Sequence, residues 1–138
     1  MQQIAKKAVL ENMNECIEFV LHNLAGDIEA DKEQINAIRL MCEEILMNII
    51  SYAYNDRQIG NMSVEYEFDK DCGLMTLIFS DHGIEFNPLE TKVPDITLDI
   101  MDRDIGGLGI FLVKQIADEV FYERRDSANI LTVKKKWR

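Results

Sequence analysis

Residues 33 to 56 read EQINAIRLMCEEILMNIISYAYND. An α-helix turns about 100° per residue, which puts Ile35, Ile38, Cys42, Ile45, Ile49, Tyr52 and Ala53 on one wide face. Leu40, Met47 and Ile50 fall on the opposite flank. A helix that is apolar on both sides is expected to be buried on both. Between the flanks runs a narrow polar stripe of Glu44, Asn48 and Ser51. Glu44 and Asn48 stand at i and i+4, one above the other. A carboxylate and an amide buried there without partners would each cost a few kcal/mol. The stripe is therefore either a solvent-facing strip or a face that meets a bound metal or ligand.

Outward from this helix, Glu11 to Leu24 carries Met13, Ile17, Val20, Leu21 and Leu24 at helical spacing. Gly26 is the expected end of that helix, and Asp31 the expected N-cap of the central one. Residues 2 to 9 are short and ambiguous, compatible with an edge strand. Met62, Val64, Tyr66 and Phe68 alternate with Ser63, Glu65 and Glu67, the pattern of a half-buried strand. Asp69 to Gly73 is the turn and Leu74 to Asp81 the return strand. Its register places Asp81 on the apolar face with Met75, Leu77 and Phe79. Ile110 to Ala117 reads as a buried helix, and Glu119–Arg125 with Ile130–Trp137 as a last hairpin around residues 126 to 129. Helices and strands in this order predict an α+β two-layer sandwich, with a mixed, mostly antiparallel sheet and its helices on one face. At 138 residues the chain is expected to be a single domain, 1–138.

Composition narrows the function classes. The net charge of −10 argues against a nucleic-acid or anionic-membrane surface. It does not argue against a nucleotide, which a few local groups can hold. Cys16, Cys42 and Cys72 are odd in number and widely spaced, so a reducing compartment is expected, without a disulfide framework or zinc site. The first residues lack the apolar core of a signal peptide, and no stretch is long and apolar enough to span a bilayer. A cytoplasmic location is the expectation.

Two further clusters can carry chemistry. Gly106, Gly107 and Gly109 stand at a loop-to-helix joint. They could be simple close packing, or an anion site built from backbone N–H groups and the helix dipole. The cluster matches neither a P-loop nor a dinucleotide fingerprint. Asp81 at its strand end could cap a turn or accept a hydrogen bond from a ligand amine, with Gly83 allowing close approach. Between Pro88 and Ile105 lies a segment without periodicity, long enough to be a lid. It carries Glu90, Asp95, Asp99, Asp102 and Asp104 against Lys92 and Arg103.

The three sites, E-x-x-x-N on a helix, D-x-G after a strand and G-G-x-G at a second helix, occur together. The chain thereby resembles the nucleotide-binding fold shared by gyrase-type ATPases, sensor histidine kinases and bacterial anti-sigma-factor serine kinases. The nearest resemblance is to the last group. It rests on EEILMNIISYAY (43–54), DHGIEFNP (81–88), IGGLGIFLVKQIADEVFYER (105–124) and NILTVKK (129–135). The resemblance implies Glu44 as general base, Asn48 as protein ligand of Mg²⁺, and Asp81 with Gly83 as adenine readers. Gly106, Gly107 and Gly109 would cradle the phosphates, with Arg103 as an added cation. The implied cofactors are ATP and Mg²⁺. The implied activity is phosphorylation of a serine on an anti-anti-sigma (antagonist) protein, with a sigma factor as second partner and a possible homodimer. A module that binds ATP or ADP without turnover, regulating a partner by contact, is the competing expectation. A detached ATPase domain serving a phosphatase or sensor subunit is a third. Neither His22 nor His82 stands in the context of a phosphorylated histidine.

Overall fold

A computed structural model describes residues 1–55, 58–90 and 105–137. Among the described residues five strands form one sheet: β1 (Gln2–Lys7), β2 (Asn61–Asp69), β3 (Leu74–Asp81), β4 (Glu119–Arg125) and β5 (Ala128–Lys136). The order across the sheet is β1-β2-β3-β5-β4, and every pairing among the described residues is antiparallel. The expected mixture of parallel and antiparallel pairing is thus corrected to antiparallel alone. The chain passes from β3 to the edge strand β4 and returns through a hairpin, which places β5 antiparallel beside β3. The ambiguous first residues form the β1 edge.

Three of the described helices pack on one face of this sheet: α1 (Met13–Asp27), α2 (Lys32–Asn48) and α3 (Ile105–Ile116). Gly26 does not end α1, which runs one residue further to Asp27. Asp31 caps α2 in a reciprocal box, since its side chain accepts from Gln34 N–H and Gln34 accepts from Asp31 N–H. Met41, Ile45 and Leu46 of α2 meet Met75, Leu77 and Phe79 of β3 in the core, all at most 3% exposed. Full burial of such a side chain is worth about 1.5–3 kcal/mol. The ion pairs Lys6–Glu15 and Arg39–Glu18 are solvent-exposed and screened, so they add little to stability. The layers are therefore held by the apolar interface.

The opposite flank of α2 departs from expectation. Leu40 and Met47 are 36% and 38% exposed, and Ile50 is half-buried. Among the described residues only one layer of helices covers the sheet, so the side of α2 turned away from it meets solvent. The helix also does not continue regularly to residue 56. From Ile49 to Ala53 it widens into a π-helical turn. That turn presents the Ala53 carbonyl to the backbone N–H of Ile84 at 2.8 Å. It also sends Tyr52 outward, where its ring stacks on Phe86 at 5.3 Å between centroids. No described helix is long and apolar enough to cross a membrane.

Candidate nucleotide site

The alternation of β3 carries Asp81 onto the helix-facing side, where it is only 5% exposed. Its Oδ1 accepts from Gly83 N–H at 2.8 Å and from Asn129 Nδ2 at 2.9 Å. Asp81 lines a cavity whose wall also includes Ile45, Asn48, Ile49, Phe79 and Tyr122. The i and i+4 spacing of Glu44 and Asn48 holds both on the α3-facing side of α2. Asn48 reaches the cavity. Glu44 lies one turn away against α3: a Cβ built on Gly109 would sit 2.2 Å from Glu44 Oε2. Burial first, and neighbouring Glu43 second, push the Glu44 carboxyl above its ordinary range. The polar stripe is thus neither fully buried nor a plain solvent strip. Glu44 and Asn48 are half-buried at the mouth between two helices, while Ser51 is exposed.

The glycines are placed differently from expectation. α3 begins at Ile105, so Gly106, Gly107 and Gly109 lie inside its opening turns and not ahead of it. First-turn N–H groups have no intrahelical partner in any case, so glycine weakens few bonds there. At Gly109 the missing side chain makes room for Glu44. At Gly83 the chain's own packing already requires a glycine. A Cβ there would lie 2.0 Å from the Ala53 carbonyl oxygen and 2.5 Å from its carbon. The close approach is to the chain's own π turn, which locks the 82–86 loop beneath the cavity. Arg103 and the acidic segment from 91 to 104 lie outside the described residues.

Asn129 is the residue that sequence reasoning missed. It stands opposite Asp81 across β3 and β5 and is 7% exposed. Its Nδ2 donates to Asp81 Oδ1 and to the Ile84 carbonyl, at 2.9 and 2.6 Å. Its Oδ1 accepts from the Tyr122 hydroxyl and from Phe86 N–H, at 2.6 and 3.2 Å. The signal lay in the turn. Asp126 and Ser127 both take positive φ, 53° and 64°, in a two-residue hairpin loop, so β5 starts at Ala128 and not at Ile130. A slip of one residue would send Asn129 to the outer face.

The arrangement joins an acceptor carboxylate at the cavity floor, an amide on its wall and a second carboxylate at the opening turns of a helix. Such a set can hold a flat, amine-bearing ring at one end and an anion with a divalent cation at the other.

A family model described as a histidine kinase-like ATPase domain matches residues 7–135. The serine-protein kinase RsbW of Listeria innocua is 29% identical over 105 residues, 72% of this chain and 65% of that protein. RsbW of Bacillus velezensis is 24% identical over 124 residues, 86% of this chain and 75% of its own length. The anti-sigma F factor of Clostridium novyi is 24% identical over 112 residues, 80% of this chain and 76% of that protein. The chain thus spans just under two thirds of the Listeria relative. With its antiparallel sheet, its single helical layer and a match over nearly its whole length, the chain belongs to the histidine kinase-like ATPase domain family, alongside the RsbW and anti-sigma F factor proteins.

Proposed function

We propose that the protein binds Mg·ATP in the cavity between α2, α3 and the sheet and transfers its terminal phosphoryl group to a serine of an antagonist protein. The observation that carries this reading is the convergence of Asn48 and Asp81 on one cavity, with Glu44 one helical turn away against Gly109. Asp81 accepts the exocyclic amine of adenine at the enclosed end, on a carboxylate already held by Gly83 and Asn129. The free first-turn N–H groups of Gly106 and Gly107 donate to phosphate oxygens at the positive end of α3, and Gly109 keeps the space beside Glu44 open. Glu44 takes the proton of the attacking hydroxyl. Its upward-shifted carboxyl is a stronger base than a solvated glutamate, as that task requires.

The side chains present fit a magnesium ion of the kind that takes few protein oxygens. Asn48 offers its amide oxygen at the cavity wall, and the described residues hold no group of three or more His, Cys, Asp or Glu able to cage a metal. Bound Mg²⁺ supplies neutralisation of the phosphate charge. The relatives' names support a protein serine as phosphoryl acceptor and a sigma factor as a partner, and the family resemblance supplies the antagonist protein as the bearer of that serine.

The acid-rich composition of 90 to 104 favours a second reading, an ATP or ADP sensor that acts by contact alone. Labelled ATP with candidate antagonist proteins separates the two. Phosphoserine on one of them is expected. Nucleotide binding with no phosphoserine on any candidate would leave only the sensor. For the metal role, Asn48→Ala is expected to weaken Mg·ATP by about tenfold, the loss of one charged contact, while barely changing metal-free ATP. Equal loss of both in calorimetry would contradict it.

A further inference from the structure

The four hydrogen bonds of Asn129 reach three separate segments at the enclosed end of the cavity. They hold Asp81 on β3, Ile84 and Phe86 in the following loop, and Tyr122 on β4. An amide has two N–H donors and two acceptor sites, and here all four are engaged. Only one orientation of the amide suits this network, because the flipped form would set its oxygen against the Asp81 carboxylate and the Ile84 carbonyl. Asn129 has no donor or acceptor left for a ligand. Its action on anything in the cavity must pass through Asp81, the loop and Tyr122.

Asp81 and Tyr122 both line the cavity, and Gly83 N–H and Asn129 Nδ2 fix Asp81 from the same oxygen, Oδ1. A carboxylate anchored at one oxygen by two donors has lost its freedom to turn about its last bond. We propose that Asn129 is the positioning residue that sets selectivity for a 6-amino purine over a 6-oxo purine. This rests on the reading of Asp81 as the acceptor for the base. An amine on the ring donates to the fixed carboxylate. A ring carbonyl at the same place sets acceptor against acceptor, and a carboxylate that cannot turn aside gives it no relief. Freed from Asn129, Asp81 can rotate and the 84–86 loop can relax. The amine then loses part of its bond, and the carbonyl loses part of its penalty.

The test is calorimetric affinity of the full chain for Mg·ATP and Mg·ITP, which differ in that amine and carbonyl and in the hydrogen that the 6-oxo ring carries on N1. Wild type is expected to prefer ATP. Asn129→Ala is expected to weaken ATP by about tenfold or more, as when a buried polar pair is broken, and to leave ITP unchanged or tighter. The isosteric Asn129→Asp, which sets a second carboxylate against Asp81, should shift the ratio in the same direction. Should these variants fail to fold, Tyr122→Phe removes only the hydroxyl that orients the Asn129 amide, and the ratio should fall by a smaller factor. Equal weakening of ATP and ITP, or an unchanged ratio in a folded variant, overturns the positioning role and assigns Asn129 to stability alone. Wild type that binds neither nucleotide overturns the functional reading itself, and with it this inference.

Discussion

Glu44→Gln is expected to lower phosphoryl transfer by about 10²–10⁴-fold, the usual share of a positioned general base, while ATP affinity stays near wild type. The amide keeps the shape of the carboxylate over Gly109 but accepts no proton at neutral pH. The same substitution has a signature in stability. The Glu44 carboxyl is raised in the folded state from an ordinary value of 4.5, chiefly by burial. The folded protein therefore holds this proton more tightly than the unfolded chain. Wild-type stability falls as pH rises from 4.5 through the raised value, and the loss persists above it. Gln carries no such loss, so the variant should melt above wild type at neutral pH and match it at pH below 4.5. Transfer by Glu44→Gln at the wild-type rate would remove the base role. A melting advantage independent of pH would show that the carboxyl is not held in a desolvating contact.

A paired glycine experiment separates the two ends of the site. Gly83→Ala drives a methyl group into the Ala53 carbonyl, and backbone atoms cannot swing aside. Overpacking of this kind costs about 1–3 kcal/mol, a fall in Tm of roughly 5 °C. The Ile84–Ala53 and Gly83–Asp81 bonds are strained together, so nucleotide affinity should fall too. At Gly109 the first atom met is the tip of the Glu44 side chain, which can move. Alanine also favours a helix over glycine by about 1 kcal/mol. Gly109→Ala should therefore keep or raise Tm while transfer drops, because Glu44 is displaced. Equal destabilisation by both would mean that Glu44 cannot yield and is part of the packing.

Much of this was legible along the chain because it is local. The alternation from Leu74 to Asp81 put an acid on the buried face, and the i, i+4 pair Glu44 and Asn48 declared one side of α2. The Asp31 cap was equally plain. What stayed hidden depends on contacts between distant segments. Nothing from Ile49 to Ala53 announces a π turn, whose accepting carbonyl is met by Ile84, some thirty residues later. Asn129 looked like one more turn residue in Asp-Ser-Ala-Asn, and only the two-residue hairpin register turns it inward. Leu40 and Met47 matched a buried flank by hydropathy, but periodicity does not say how many layers a fold has. The motif marks Gly83, but its contact with Ala53 depends on the π turn and is not written in the motif.

The central claim is that an adenine nucleotide lies with its base on Asp81 and its phosphates toward Asn48 and the opening turns of α3. A crystal structure with magnesium and a non-hydrolysable ATP analogue tests it most directly. The account predicts the exocyclic amine within hydrogen-bonding distance of the Asp81 carboxylate and the metal on the Asn48 amide oxygen. A nucleotide seated elsewhere, or a cavity that stays empty at saturating analogue and magnesium, would contradict it.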